Sequence, residues 1–380
     1  MPQPSLADFS LLGGPLHRLG ERLGLVRGDK TIALGLALGW GCWLLLIALA
    51  FAKGGVGDLF ALSVIAVHAR LLLAIPLFFV AETALDIKLR EFVALLVRCE
   101  IAGAKALPEL EAEAARLSGW ETSGLPDAAS FAGAAALTFF GAQAGLPDTD
   151  AGRALAEMPY AALFYGFFCL PLFRFLMLRW LLRIFLWWTL LWRLTKMDLD
   201  LSPAHPDHAG GLGYLETVHS RFTPLAFAIS IVVASSFAQE IAVGAATLRD
   251  VYPALAATLL IDVALFLAPP CVFAFKLRAC QEKGLRDYAT LAARYVHAFE
   301  RKWMGDAAPD EPLLGTPDLQ SLADLGNSVE AVRKMRLAPI SVRLLATIGV
   351  AAALPMAPLF LFEYPLADLA KLLFSKLAGL

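Results

Sequence analysis

The chain has little charge. Asp, Glu, Lys and Arg make up 17% of its 380 residues, against about 25% in a soluble globular domain. That shortage excludes an ordinary soluble fold. The 58% of hydrophobic residues and a mean hydropathy of +0.65 point the same way. A basic excess is missing too. The net charge is −2, so the electrostatic footprint of a nucleic-acid binder is absent. The five cysteines, Cys42, Cys99, Cys169, Cys271 and Cys280, include no CxxC pair. That argues against a disulfide framework or a zinc site, and the thiols read as small buried hydrophobes. No small-residue cleavage site follows the first apolar run. Arg18, Arg22, Arg27 and Lys30 therefore introduce a retained span, not a cleaved signal peptide. No Ser/His/Asp order and no SxxK element points to a nucleophilic enzyme.

What is abundant is apolar length. A membrane-spanning helix needs about 20 mostly apolar residues. The runs 31–52, 222–246, 251–275 and 337–362 qualify directly, and 59–81 qualifies despite His68 and Arg70. The run 160–194 is too long for one upright span and carries Arg174, Arg179 and Arg183. It reads as a span continued by a helix along the membrane surface, or as a hairpin. The expected fold class is all-α: a polytopic helical membrane protein of about six spans. A segment 1–30 precedes a single integral domain over 31–380. Lipid is the expected partner, with homo-oligomer formation as an option; no cofactor and no nucleic acid are expected.

Lys and Arg concentrate in cytoplasmic loops, which tests the number of crossings. With the N-terminus inside and one crossing in 84–194, the loops hold 13 basic residues inside and 16 outside. With an even number of crossings there, the counts become 24 and five. The even count is preferred. Its source is either the Ala-rich run 128–146 or a hairpin inside 160–194. A cytoplasmic layer then comprises 84–118, 196–220 and 276–336. Helical spacing of Leu85, Leu89, Val93 and Leu96, and of Leu285, Tyr288, Leu291, Tyr295 and Phe299, predicts that membrane helices extend into it. Pro309, Pro312 and Pro317 predict a loop. Pro76 before Lys88-Leu89-Arg90, and Pro270 before Lys276-Leu277-Arg278, hint at an internal repeat.

Ionisable groups at bilayer depth cost about 2.5–3.5 kcal/mol each on insertion scales, so they need a reason. They are His68, Arg70, Arg174, Glu240, Asp262 and Arg343, with Glu82 at the end of its span. His68 and Glu82 lie fourteen residues apart and project to similar faces. Arg70 and Arg343 are natural counter-ions for Glu240 or Asp262. One reading is a polar transport pathway; the other is a set of structural ion pairs. Arg174, Arg179 and Arg183 stand among Trp180, Trp187, Trp188 and Trp192, which favours a helix at the headgroup level.

One polar stretch, His205-Pro206-Asp207-His208-Ala209-Gly210-Gly211-Leu212-Gly213, interrupts the apolar runs. Three readings stand. His205, Asp207 and His208 are a ligand set for a divalent metal. Gly210, Gly211 and Gly213 can offer backbone N–H groups to an anion. Or Pro206 and the glycines turn the chain, with Asp207 capping the helix that follows.

The strings His205–Leu215, Arg294–Trp303 and Glu311–Arg336 resemble a family of bacterial multi-pass membrane proteins. His68-Ala69-Arg70 with Ala81-Glu82, and Leu170-Pro171-Leu172-Phe173-Arg174, resemble it as well. The resemblance implies a bacterial inner-membrane protein and brings no activity, substrate or catalytic residue. That family would carry a short polar segment where this chain has 128–146, which favours the hairpin or surface-helix option for 160–194. The functional expectation is a channel or transporter for an ion or small solute. The rivals are a membrane-embedded metal-dependent hydrolase and a non-catalytic scaffold or sensor.

Overall fold

The computed structural model describes residues 9–10, 13–51, 59–143, 155, 158–305, 312 and 315–363. The end of the 128–146 run, Pro309 and the tail with Lys371 and Lys376 lie outside them. Among the described residues the regular elements are all helices. Six of them are long and apolar enough to cross a membrane: α2 (Ile32–Phe51), α3 (Leu62–Arg98), α6 (Pro159–Leu194), the pair α7 (Tyr214–Ser220) and α8 (Thr223–Ala242) counted as one, α9 (Leu248–Leu267), and α12 (Val342–Ala353) with its 3-10 continuation to Phe362. This is an all-α polytopic architecture. The others are α1 (Gly14–Arg22), α4 (Leu107–Thr122), α5 (Leu125–Gln143), α10 (Ala274–Trp303) and α11 (Pro317–Arg333).

Helix α2 runs antiparallel to α3. Thr31 sits beside Phe79 and Thr83, with hydrogen bonds of 3.1 Å to each, and Trp43 reaches His68. Two glycines four residues apart let the backbones close in. A Cβ on Gly35 would meet the Phe79 ring at 2.7 Å, and one on Gly39 would meet the Leu71 carbonyl at 2.4 Å. This is the small-residue contact that membrane helices use. Gly39→Ala is expected to cost about 1–3 kcal/mol, the usual penalty of overpacking. Gly41→Ala, which faces open space, is expected to be neutral. Thermal unfolding in detergent separates the two.

The longest helices, α3 and α6, each contain a π-helical stretch followed by a proline. These are Ala69–Ala74 before Pro76, and Tyr165–Cys169 before Pro171. Pro76 has no N–H to offer the Leu72 carbonyl, and the Trp40 indole donates to that oxygen instead, at 3.2 Å.

The 160–194 run is neither a hairpin nor a surface helix. It is one continuous helical element, and Arg174, Arg179 and Arg183 are 4%, 3% and 4% exposed. Helices α4 and α5 cover it in antiparallel order: Glu113 meets Arg193, Glu121 meets Arg183, Asp127 meets Arg179, and Thr138 meets Arg174. Helix α5 occupies most of the 128–146 run, so the partner of α6 comes from that Ala-rich segment. Two of its polar atoms are covered by α6: the Leu137 carbonyl and the Thr138 hydroxyl accept from Arg174.

The polar segments gather at one end of the bundle. Asp200 donates its N–H to Ile101 O, Lys276 donates to Met197 O, and Gln281 donates to the carbonyls of Val332, Arg333 and Met335. The expected extensions are only half continuous. Helix α3 runs straight on to Arg98, but Pro269 and Pro270 end α9 in a 3-10 turn before α10 begins. The prolines therefore act differently in the two places, and the hinted repeat does not extend to this geometry. Beyond Gly284, α10 keeps no fully buried residue and pairs with α11 as an arm, through Tyr295 and Trp303 on Asp318.

Candidate functional site

The densest polar chemistry in the bundle lies between α3, α4, α5 and α6. Arg183 contributes one guanidinium nitrogen at 2.9 Å from Glu82 Oε1 and another at 3.0 Å from Glu121 Oε1. Arg179 lies 2.9 Å from Asp127 Oδ1 and 3.4 Å from the same Glu82 oxygen. It also donates to the Gly13 carbonyl at 3.0 Å. All five side chains are buried. Three carboxylates thus face two guanidiniums. Glu121 Oε2 is buried without a hydrogen-bond partner among the described residues. A cavity of about 10 Å³ lies against Glu82, Asp86 and Arg183, roughly the room for one water molecule. One helical turn further along α3, Asp86 accepts from Ser10 at 2.7 Å and from Arg90, which also binds Asp29.

The network sits level with the start of α2, since Thr31 bonds Phe79 and Thr83. It therefore marks the edge of the apolar layer, where the N-terminal segment folds back to help enclose it. Arg70 sits deeper, on the same face of α3. It donates to Tyr165 Oη at 2.8 Å and Ser236 Oγ at 3.1 Å, and lies over the Phe173 ring at 5.9 Å. Between Arg70 and Glu82 stands an aromatic layer, Phe78 stacked on Phe173 with centroids 5.9 Å apart.

The other expected residues do not join this network. His68 is clamped in one neutral tautomer: Nδ1 accepts from the Trp43 indole at 2.8 Å, so Nε2–H donates to Leu59 O at 2.7 Å. It lies far along α3 from Glu82, so the shared helical face does not bring them together. Asp262 is fully buried and accepts from Ser230 at 2.8 Å. Among the described residues its second oxygen has no hydrogen-bond partner and no arginine pairs with it. Arg343 is exposed at the start of α12, and Glu240 is half-buried near the end of α8. The proposed pairing of Arg343 with a buried carboxylate is therefore corrected.

The interfacial reading of Arg179 and Arg183 is corrected as well. Tryptophan and arginine on one helix suit a headgroup position, but they suit a buried position equally when carboxylates arrive from elsewhere. Glu121, Asp127 and Tyr165 were missed as partners. A signal existed: Glu113 and Asp127 are fourteen residues apart, and so are Arg179 and Arg193, the match an antiparallel pair needs.

The 205–213 stretch folds around its own aspartate. The Asp207 carboxylate accepts from the backbone N–H of Ala209 at 2.8 Å, Gly211 at 3.2 Å and Gly213 at 2.7 Å. The Nδ1 of His205 lies 2.8 Å away. Burial works against this carboxylate, but the three amides and the imidazole hold its pKa below the usual aspartate range. His208, Gly210 and Gly211 adopt left-handed φ values of 54°, 68° and 101°. A Cβ at Gly213 would collide with Asp207 at 2.8 Å. The cradle offered by Gly211 and Gly213 is thus filled by Asp207 itself. Among the described residues no three His, Cys, Asp or Glu side chains converge as metal ligands, so His205, Asp207 and His208 do not form a ligand set. The loop is then fastened from outside. Arg336 donates its N–H to His208 O at 2.7 Å and its guanidinium to Asp207 O and Glu216.

Compared with protein-family models, with curated proteins and with solved structures, the chain finds no match, which leaves the geometry of these residues as the guide to function.

Proposed function

We propose that this integral membrane protein passes an ion or a small solute, along the interface of α3 and α6. One observation carries the reading. Two buried layers of charge, Arg70 and the Glu82–Arg179–Arg183 network, lie on one helix interface, and a single aromatic layer of Phe78 and Phe173 separates them. Charge buried within a membrane helix bundle is costly and is commonly kept for a pathway. The π-helical stretches at Ala69–Ala74 and Tyr165–Cys169 add support, since such stretches are frequent at functional sites. In this arrangement the aromatic layer closes the route.

The same reading places the protein in the bacterial inner membrane with its N-terminus in the cytoplasm. The antiparallel packing of α5 on α6 supports an even number of crossings in 84–194, the count that gathers most of the Lys and Arg outside the apolar runs on one side. The exposed α10–α11 arm favours a second reading, a scaffold or sensor acting through partners.

Proteoliposomes loaded with K⁺, Na⁺, Cl⁻ or a pH-sensitive dye test the proposal. The wild type is expected to pass one of them. Phe78→Ala should speed flux about tenfold and Arg70→Gln should slow it about tenfold, each equivalent to ~1.4 kcal/mol in barrier height. Flux that is absent throughout, or indifferent to both substitutions in folded protein, overturns the reading in favour of the scaffold.

A further inference from the structure

At the end of the bundle away from the polar segments, two cavities meet. The larger, about 610 Å³, is an apolar groove walled by Leu62 and Leu73 of α3, Ala234 and Ala238 of α8, and Pro355 and Phe362 from the α12 continuation. The small side chains at 234 and 238 and the tight 3-10 winding of Leu354–Phe362 keep the helices from closing it. From Leu62 to Leu73 the groove runs eleven residues, about 16 Å of helix. That matches about 15 Å for one leaflet of a hydrocarbon core.

The smaller cavity, about 420 Å³, shares Phe362 with the groove and is lined by Thr247, Arg249 and Glu363. Its charges are one of each sign. Arg249 reaches Glu363 at 3.4 Å and is otherwise largely exposed. The second carboxylate oxygen of Glu363 is buried with no hydrogen-bond partner among the described residues. The neighbouring Asp250 is occupied in a capping box with Thr247.

The geometry points to a bound phospholipid with a zwitterionic, amine-bearing headgroup: one acyl chain lies in the groove, the phosphate meets Arg249, and the ammonium meets the partly exposed carboxylate of Glu363. A guanidinium suits a phosphate, and a carboxylate with a spare acceptor suits an ammonium. An anionic headgroup without an amine would bring no positive charge to the Glu363 carboxylate. This lipid site is separate from the α3–α6 route, because it lies on the outer side of α3 and α8.

The test uses the full chain in nanodiscs of equal phosphatidylethanolamine and phosphatidylglycerol, re-extracted in mild detergent and weighed by native mass spectrometry. The wild type is expected to retain one phosphatidylethanolamine per chain over phosphatidylglycerol. Glu363→Gln should lose that preference by about tenfold, equivalent to ~1.4 kcal/mol. Ala238→Phe, which fills the groove, should strip both lipids while the unfolding temperature holds. Should that variant fail to fold, Ala234→Leu serves the same purpose. Equal retention of the two lipids by the wild type overturns the proposal. So does lipid that survives the filled groove. A dimer that Ala238→Phe converts to monomer with unchanged lipid content also overturns it, by assigning the groove to a second copy.

Discussion

Arg183→Met is expected to destabilise the protein by about 3–5 kcal/mol, the cost of breaking a buried ion pair from one side. The reason is specific to this site. Arg183 alone bridges Glu82 and Glu121, and both carboxylates are buried. Arg179 cannot replace it, because that guanidinium is already committed to Asp127 and the Gly13 carbonyl and reaches Glu82 only at 3.4 Å. The substitution therefore leaves two buried carboxylates with too few donors. Thermal unfolding in detergent reads the loss. The triple variant Glu82→Gln/Glu121→Gln/Arg183→Met should regain most of it, since the net worth of a buried network is small once no charge is stranded. A single variant that melts with the wild type would show that the network is not closed in this way.

The second large effect is expected from Asp207→Ala, at about 3 kcal/mol for the loss of charge-assisted bonds to buried amides. Three backbone N–H groups lose their acceptor, and the left-handed residues His208, Gly210 and Gly211 lose what holds them in place. The effect spreads to the α11–α12 connection, because Arg336 is anchored on the carbonyls of Asp207 and His208. Hydrogen exchange should rise across 205–213 and 332–341 together. The pH dependence has a definite sign. Folding lowers the Asp207 pKa, so the stabilisation is complete above the unfolded value of about 4. It fades as pH falls below that and through the folded value. Protection from exchange in this loop, taken relative to the intrinsic rate at each pH, should fall on acidification in the wild type and be flat in Asp207→Asn. Parallel pH profiles for the two would remove the carboxylate from this role.

Much of the fold was legible because apolar length has one meaning in a membrane. Helices at Ile32–Phe51 and Val342–Phe362 fall close to the runs 31–52 and 337–362. The span expected at 251–275 ends earlier, at Leu267, because Pro269 and Pro270 stop the helix. Segment 125–143 was harder to read. Its Ala and Gly content is too weakly apolar to announce a membrane helix, and its packing beside α6 rests on contacts across 36 to 52 residues.

The candidate site was legible one residue at a time. Glu82 and Arg70 stood out as costly charges, but their partners did not. Arg183 and Glu121 are 62 positions apart, and Arg70 and Tyr165 are 95 apart. The histidines misled for a related reason. His205 and His208 beside Asp207 look like ligands, yet the Asp207 carboxylate is satisfied by three backbone amides, and His68, read as a pathway residue, is satisfied by an indole and a carbonyl.

By itself the sequence determined the all-α membrane class, the places of most spans and the turn-forming character of 205–213, because hydropathy and glycine conformation are local properties. Only the tertiary structure decided which charges neutralise one another. It also decided that Asp207 fills its own amide cradle and that α5 is the partner of α6. Those outcomes depend on which distant side chains share a low-dielectric interior, and helix packing alone sets that.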